Sequence, residues 1–196
     1  MRRLNKLAST CLLLILALLV PLASAEPWDQ DNLMKALSRV KHSRVHFTET
    51  RFLSALKTPL VTRGSLVYQA PNRLEKHVTE PFQETTLIVD DRVSIDNKTQ
   101  PFKRSLDLKS NPPLWAFVES FRATLAGDMT ALERFYKVRL DGSRQQWQLT
   151  LLPRDIEIAE LIRSIVVDGN DARILRITTQ EADGDRSVLT LTELPP

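Results

Sequence analysis

The spacing of apolar positions changes period several times along the chain, and each change marks an element. Over 28–44, Leu33, Leu37 and Val40 recur at helical spacing and Met34 widens the stripe. Asp29 and Asp31 stand where a helix N-terminus attracts negative charge, so this span is predicted to be a helix. From Phe47 onward the period falls to two. Alternating runs follow at 45–53, 64–69, 74–79, 85–89, 92–96 and 103–108, with Pro59, Pro71, Pro81 and Pro101 between them as turn punctuation. Helical spacing then returns in Leu114, Phe117, Val118, Phe121 and Leu125, after Pro112-Pro113 and before Gly127. A shorter helix is predicted over 128–134, with Asp128 as its N-cap. The last third reads as strands at 136–140, 146–152, 161–167, 173–180 and 186–192. Asp141-Gly142, Asp168-Gly169 and Asp183-Gly184 stand between them as predicted hairpin turns.

This pattern gives ten or eleven strands, one N-terminal helix and one central helical excursion, with no repeat and no linker. The predicted class is mainly β with helices (α+β), built on one large antiparallel sheet that must curl. A curled sheet with so few helices is under-filled. Either the helices pack into it fully, or a cavity remains. One stretch shows what the concave side carries. In "GSLVYQAPNRLEKHVTEP", Leu66, Tyr68 and Ala70 share a face, and beyond the Pro71-Asn72 turn Leu74 and Val78 continue it. Lys76 stands between those two, where an apolar residue belongs. An ammonium there must reach water at a rim or meet an anion, because burying it alone is expensive.

Composition then narrows the compartment and the partners. Residues 1–25 have a basic start (Arg2, Arg3, Lys6), an apolar core over 11–20 and an Ala23-Ser24-Ala25 end. That is the layout of a secretory signal peptide cleaved after Ala25, which exports residues 26–196 as one domain. Cys11 leaves with the signal peptide, so the mature chain relies on its core rather than on disulfides. The formal charge is +3, from 27 Lys and Arg against 24 Asp and Glu. Arg2, Arg3 and Lys6 account for the whole excess. The mature chain is therefore balanced and lacks the basic surface that nucleic-acid binding needs.

Catalytic patterns are not found. His42 and His46 are four apart, but no third ligand accompanies them, and they read as solvated surface residues rather than a metal site. His77 falls on the polar side of its strand. The pairs Asp90-Asp91 and Asp183/Asp185 read as turn chemistry. No nucleophile elbow, phosphate-binding glycine loop or dinucleotide fingerprint is present. The expectation is a protein with no catalytic residues, no metal and no cofactor, whose useful surface is apolar.

The order of features from Phe47 onward resembles that of the LolA family of periplasmic lipoprotein carriers. The resemblance rests on Phe47-Thr48-Glu49, Gly64-Ser65-Leu66, Pro71-Asn72, Pro81 and Asp90-Asp91. It continues through the helices after Pro112-Pro113, Leu152-Pro153-Arg154 and the final "EADGDRSVLTL". The resemblance implies an incomplete, strongly curved antiparallel barrel, covered by the N-terminal and central helices as a lid over an apolar cavity. The expected function is a soluble, monomeric carrier that shields the acyl chains of a lipoprotein or other lipid. An inner-membrane donor transporter and an outer-membrane acceptor are implied as partners. The expected cavity residues are Leu66, Tyr68, Leu74, Lys76 and Val78 on the sheet, Leu37 on the first helix, and Trp115, Phe117, Phe121 and Leu125 on the central helix.

Three departures from the family pattern bear on the client. Ala70 stands where the carriers typically have an arginine tying sheet to lid, and Lys76 replaces an aromatic. The chain also stops at Pro196 without their C-terminal extension. A glycolipid or lipid-linked pigment as client, or a lipid-sensing regulatory module on the same fold, are the alternatives.

Overall fold

The computed structural model describes residues 28–99 and 102–193. The signal peptide over 1–25 with Cys11, together with Pro101 and Pro196, lies outside the described residues. Eleven strands form one antiparallel sheet: β1 (His42–Phe52), β2 (Leu60–Gln69), β3 (Arg73–Glu80), β4 (Glu84–Val89), β5 (Arg92–Asn97), β6 (Phe102–Asp107), β7 (Tyr136–Ser143), β8 (Gln146–Pro153), β9 (Ile162–Asn170), β10 (Arg173–Glu181) and β11 (Arg186–Glu193). Their order is β6-β5-β4-β3-β2-β1-β11-β10-β9-β8-β7, so the sheet is not closed on itself. The junction lies at β1, which pairs with β2 on one side and β11 on the other. Phe47 faces Gly64 across one ladder and Leu191 across the other. Mainly-β architecture with an incomplete, curved barrel is therefore what the strand count required.

The helices are α1 (Gln30–Leu37), α2 (Pro112–Ala126), α3 (Met129–Phe135) and the single turn α4 (Ile156–Ala159). Asp29 caps α1 by accepting the Asn32 N–H at 2.9 Å, and Asp128 caps α3 by accepting the Ala131 N–H at 2.9 Å. The first helix is shorter than the predicted 28–44. Its last turn closes where the Ser38 N–H donates to the Met34 carbonyl at 2.8 Å. From His42 the backbone is taken by the ladder to β2, and Val45 and Phe47 share one face of the strand. Apolar residues at i and i+4 are common to a helix end and a strand start, so periodicity alone ran through the boundary. Gly127, with a φ of 67°, ends α2 in the left-handed conformation. A Cβ there would lie 2.1 Å from the Met34 carbonyl, so this cap also sets how closely α2 approaches α1.

Two of the three Asp-Gly pairs are not turns. Asp141-Gly142 lies within β7 and Asp168-Gly169 within β9, each before the true reversal. Gly169 is there for packing. A Cβ on it would come within 2.1 Å of the Trp147 ring, which is fully buried and donates its indole N–H to the Asp171 carbonyl at 2.9 Å. Asp183-Gly184 is a turn as predicted.

The core is lopsided. Leu33, Met34 and Leu37 of α1, Ala116 and Ala123 of α2 and Leu132 of α3 pack on Trp147, Leu149, Leu151, Ile165, Val167 and Ile177. All of these sheet residues belong to β8–β10. On the other half, only Phe47, Tyr68 and Val78 of the concave apolar positions in β1–β3 are fully buried, and Leu106 on β6 is 41% exposed. The helices fill one half of the concave face and leave the other half hollow.

Because nothing near Gly169 can retreat without unseating Trp147, Gly169→Ala should destabilise the fold by about 1–3 kcal/mol, the usual cost of overpacking. Urea denaturation of the variant against wild type checks this. A midpoint within error of wild type would show that the contact is not rigid.

Candidate functional site

Between α2 and the sheet lies a cavity of about 960 Å³, bounded on the core side by Leu151, Ile165, Val167 and Ile177. Its sheet wall includes Val45 of β1, Leu66 and Tyr68 of β2, Leu74 and Lys76 of β3, Ile88 of β4 and Leu189 and Leu191 of β11. Its other wall is Leu37 with Phe117, Val118, Phe121 and Leu125 of α2. Phe117 and Phe121 are one helical turn apart and stack edge to face at 4.9 Å, forming a ridge over the void. A side cavity of about 260 Å³ lies beyond that ridge, sharing Glu49, Phe117, Phe121, Ile177 and Leu189 with the larger one. At its size the main cavity sits at the upper end of the range for small-molecule sites.

Eight of the ten expected residues line this void: Leu37, Leu66, Tyr68, Leu74, Lys76, Phe117, Phe121 and Leu125. Val78 and Trp115 do not. Val78 is buried against the sheet opposite Gly64, and Trp115 turns toward α3, packing edge-on against Phe135 at 5.2 Å. The helix carries apolar side chains on more than one face, so spacing alone did not separate the side that meets α3 from the side that meets the void. Sequence reasoning also passed over Val45, Val118, Ile177, Leu189 and Leu191. The concave parity of β10 and β11 would have supplied three of these once β11 was paired with β1.

Lys76 has a partner of its own. Its Nζ lies 2.5 Å from Glu49 Oε2 and 5.2 Å from the centre of the Phe47 ring. The two residues are on strands separated by β2. On β2, a Cβ at Gly64 would collide with the His77 carbonyl at 1.8 Å and press on the Phe47 ring at 3.0 Å, so the close approach of the β3 backbone requires glycine there. Glu49 also accepts from the Ser187 hydroxyl at 2.9 Å. Burial works against ionising Glu49, but the Lys76 ammonium, Ser187 and Arg51 outweigh it and hold its carboxyl below the ordinary value of 4.5. Glu49 carried a signal in the sequence: it is a second charge at a concave position, opposite in sign to Lys76.

The outer edge of α2 is tied to the β4–β5 turn. Arg122 Nη1 donates to the Asp90 carbonyl at 3.0 Å and lies 3.4 Å from Glu119 and 4.0 Å from Asp91. Lys109 adds a 2.7 Å contact to Asp91, and its hydrogen bond is the main cause that holds that carboxyl below its usual range. The inner edge of α2 is held by Tyr136, whose hydroxyl donates to the Ala116 carbonyl at 3.3 Å. Burial pushes that phenol up to about 12.

Elsewhere, His42 and His46 are exposed on β1, on the face away from the void, and His77 pairs with Glu75 at 2.8 Å. Among the described residues, Glu181, Asp183 and Asp185 are close enough to hold a metal, their ligand atoms lying within 4.8 Å. Each is already engaged: Glu181 by Arg51, Asp183 by the Asp185 N–H, and Asp185 by the Ser54 N–H.

A family model described as "Outer membrane lipoprotein carrier protein LolA-like" matches residues 22–193. No curated protein matches by sequence. Among solved structures, a LolA superfamily protein from Nitrosomonas europaea is similar at 13% identity and a TM-score of 0.43, over 87% of this chain and 96% of that one. MucB in the Pseudomonas aeruginosa MucA/MucB complex is similar at 15% identity and a TM-score of 0.43. That match covers 86% of this chain and 59% of that one, so the chain spans less than two thirds of it. LprF from Mycobacterium bovis is similar at 12% identity and a TM-score of 0.36, over 86% and 94%.

The ionised Glu49 contributes stability above its unfolded pKa and loses it as pH falls through its lower folded value. Glu49→Gln should therefore cost about 1–3 kcal/mol at neutral pH, with the gap to wild type closing on the acid side of about 4. Urea midpoints measured from pH 7 to pH 3 check this, and a gap that is constant with pH would refute the coupling.

Proposed function

The chain belongs to the LolA-like family of outer membrane lipoprotein carrier proteins, and from that premise we propose that it is a periplasmic carrier for an acylated lipid or lipoprotein. The cavity carries the reading: an apolar void of about 960 Å³ between a lid helix and the uncovered half of the sheet. Acyl chains are taken up there by burial alone, each methylene contributing about 0.8 kcal/mol before the costs of binding are subtracted. No bond is made or broken, so the cycle is reversible and needs no catalytic group. Loading comes from a donor at the inner membrane and release from an acceptor at the outer membrane. Each must offer or displace an apolar surface that competes with the cavity. The segment 1–25 reads as the address that delivers the chain to that compartment. No helix among the described residues is long and apolar enough to cross a membrane.

Native mass spectrometry of protein purified from its own periplasm, with extraction of what it holds, tests this reading. A bound acylated peptide supports a lipoprotein client. A bound glycolipid or pigment keeps the carrier and changes its cargo. Preparations that are consistently empty would sink the proposal. A second arm uses Leu66→Trp, which puts bulk in the middle of the wall. It should lower the affinity for a fluorescent acyl probe several-fold with the thermal midpoint little changed, and unchanged affinity would remove the cavity from the account.

A further inference from the structure

The side cavity differs from the main one in what its floor carries. Ser187 of β11 pairs with Thr179 of β10 on one side and with Arg51 of β1 on the other, so the three side chains form one concave row. Glu49 and Glu181 stand beside that row, and all five line the space under Phe117 and Phe121. Most of these groups are engaged. Ser187 donates to Glu49, which also holds Lys76, and Arg51 lies 3.5 Å from Glu181. Thr179 is the exception. The residue is 6% exposed, yet its hydroxyl has no hydrogen-bond partner among the described residues. Among those residues, the unpartnered polar atoms sealed from solvent are the Trp28 and Trp115 indole nitrogens, the Tyr68 hydroxyl and Arg122 Nε. The Thr179 hydroxyl is not one of them. It is open, and the space it opens on is the side cavity.

Charge decides what that hydroxyl meets. Arg44, Glu49, Glu75, Lys76, Arg173 and Glu193 line the main cavity. Lys76 is balanced by Glu49, Arg173 by Glu193 and Glu75 by Arg73, and Arg44 alone has no ion pair among the described residues. Arg44 is exposed and precedes Glu49 on β1 by about 16 Å of extended strand, which exceeds a Debye length of about 10 Å. Its charge therefore belongs to the opposite end of the main cavity. At the side cavity, Glu49 and Glu181 face Arg51, and Asp183 and Asp185 have carboxylate oxygens within 4.8 Å of Glu181. A phosphate or carboxylate there meets those carboxylates, and an ammonium meets the Arg51 guanidinium. A hydroxyl meets neither obstacle: it donates to a carboxylate and accepts from Thr179 or Arg51. We infer that the side cavity holds an uncharged head group with vicinal hydroxyls, a glycerol or a single sugar, on a lipid whose chain lies in the main cavity. This rests on the lipid-binding reading and names the head group. At about 260 Å³ the space is below the range for drug-sized ligands and suits a head group rather than a second chain.

Thr179→Val keeps the shape of the side chain and removes the hydroxyl. The probes are 1-hexadecylglycerol and its 2,3-di-O-methyl ether, which keeps every oxygen and loses both O–H groups. Burial alone favours the ether, the more apolar of the two, so a preference for the diol reports hydrogen bonds. Each displaces an apolar fluorophore from the delipidated protein. Wild type should hold the diol about 5-fold more tightly than the ether, and Thr179→Val should bring the two to within about 2-fold. Hexadecyl phosphate and hexadecylamine, with the same chain and a charged head, should bind more weakly than the diol. Hexadecyl glucoside, tried beside the diol, tells a sugar from a glycerol, the tighter of the two naming the source. A diol-to-ether ratio unchanged by the substitution overturns the inference, and so does tighter binding of either charged lipid. A wild type that holds the ether as tightly as the diol removes the head-group site and leaves the carrier standing. Failure of every lipid to displace the fluorophore removes the carrier reading as well.

Discussion

Everything in this molecule follows from a shortage of helix. Eleven strands in one curled sheet create a concave face that must be covered by something apolar. The 15 residues of α2 and the shorter α1 and α3 pack closely only on the β8–β10 half. There the packing is ordinary, with Leu33, Leu132, Tyr136, Trp147 and Leu149 fully buried. Over the β1–β4 half the same sheet continues, still apolar, with α2 standing off it across the cavity. A hollow lined on both sides by large side chains is what remains, and its position between α2 and the sheet follows from which strands the helices occupy.

An unfilled core tolerates a charge only where geometry supplies a partner, and the Lys76–Glu49 pair shows how local that provision is. The two carboxylate-facing neighbours come from opposite sides of β1 in the sheet, Ser187 on β11 and Lys76 on β3. They meet at Glu49 because β1 is the strand that joins the two halves of the sheet. Lys76 reaches across β2 above the Phe47 ring, its Nζ 5.2 Å from the ring centre. The pair stands at the boundary of the main and side cavities, so it also fixes a polar floor where the apolar space divides.

Much of this was legible in the order of residues. Period-two runs located the strands, and the helix caps Asp29 and Asp128 fell where charge and period said they should. The under-filled sheet was an arithmetic consequence of counting them. What escaped depends on contacts made across the fold. The end of α1 is set by a ladder to β2, and Asp168-Gly169 serves a tryptophan 22 residues earlier rather than a turn. The sides of α2 that hold Trp115 and Phe117 are separated by what packs against them, namely α3 on one side and empty space on the other. Lys76 read as an isolated anomaly because its partner lies 27 positions away, and only strand register brings the two together.

The two edges of the lid are held by different kinds of interaction. On the core side, α2 is pinned by the Tyr136 hydroxyl, by Gly127 pressed against the Met34 carbonyl and by buried Ala116 and Ala123. Breaking that edge exposes apolar surface, at about 25 cal/mol per Å². On the far side the ties are Arg122 and Lys109 to the Asp90-Asp91 turn, and the Lys109 end of them is well exposed. The exposed Lys109–Asp91 pair is screened by water and salt. The edge facing the uncovered strands is thus the cheaper one to release, and the edge facing the core is the natural hinge. The weaker fastening faces β4 and β5, over the half of the sheet that the helices do not pack on.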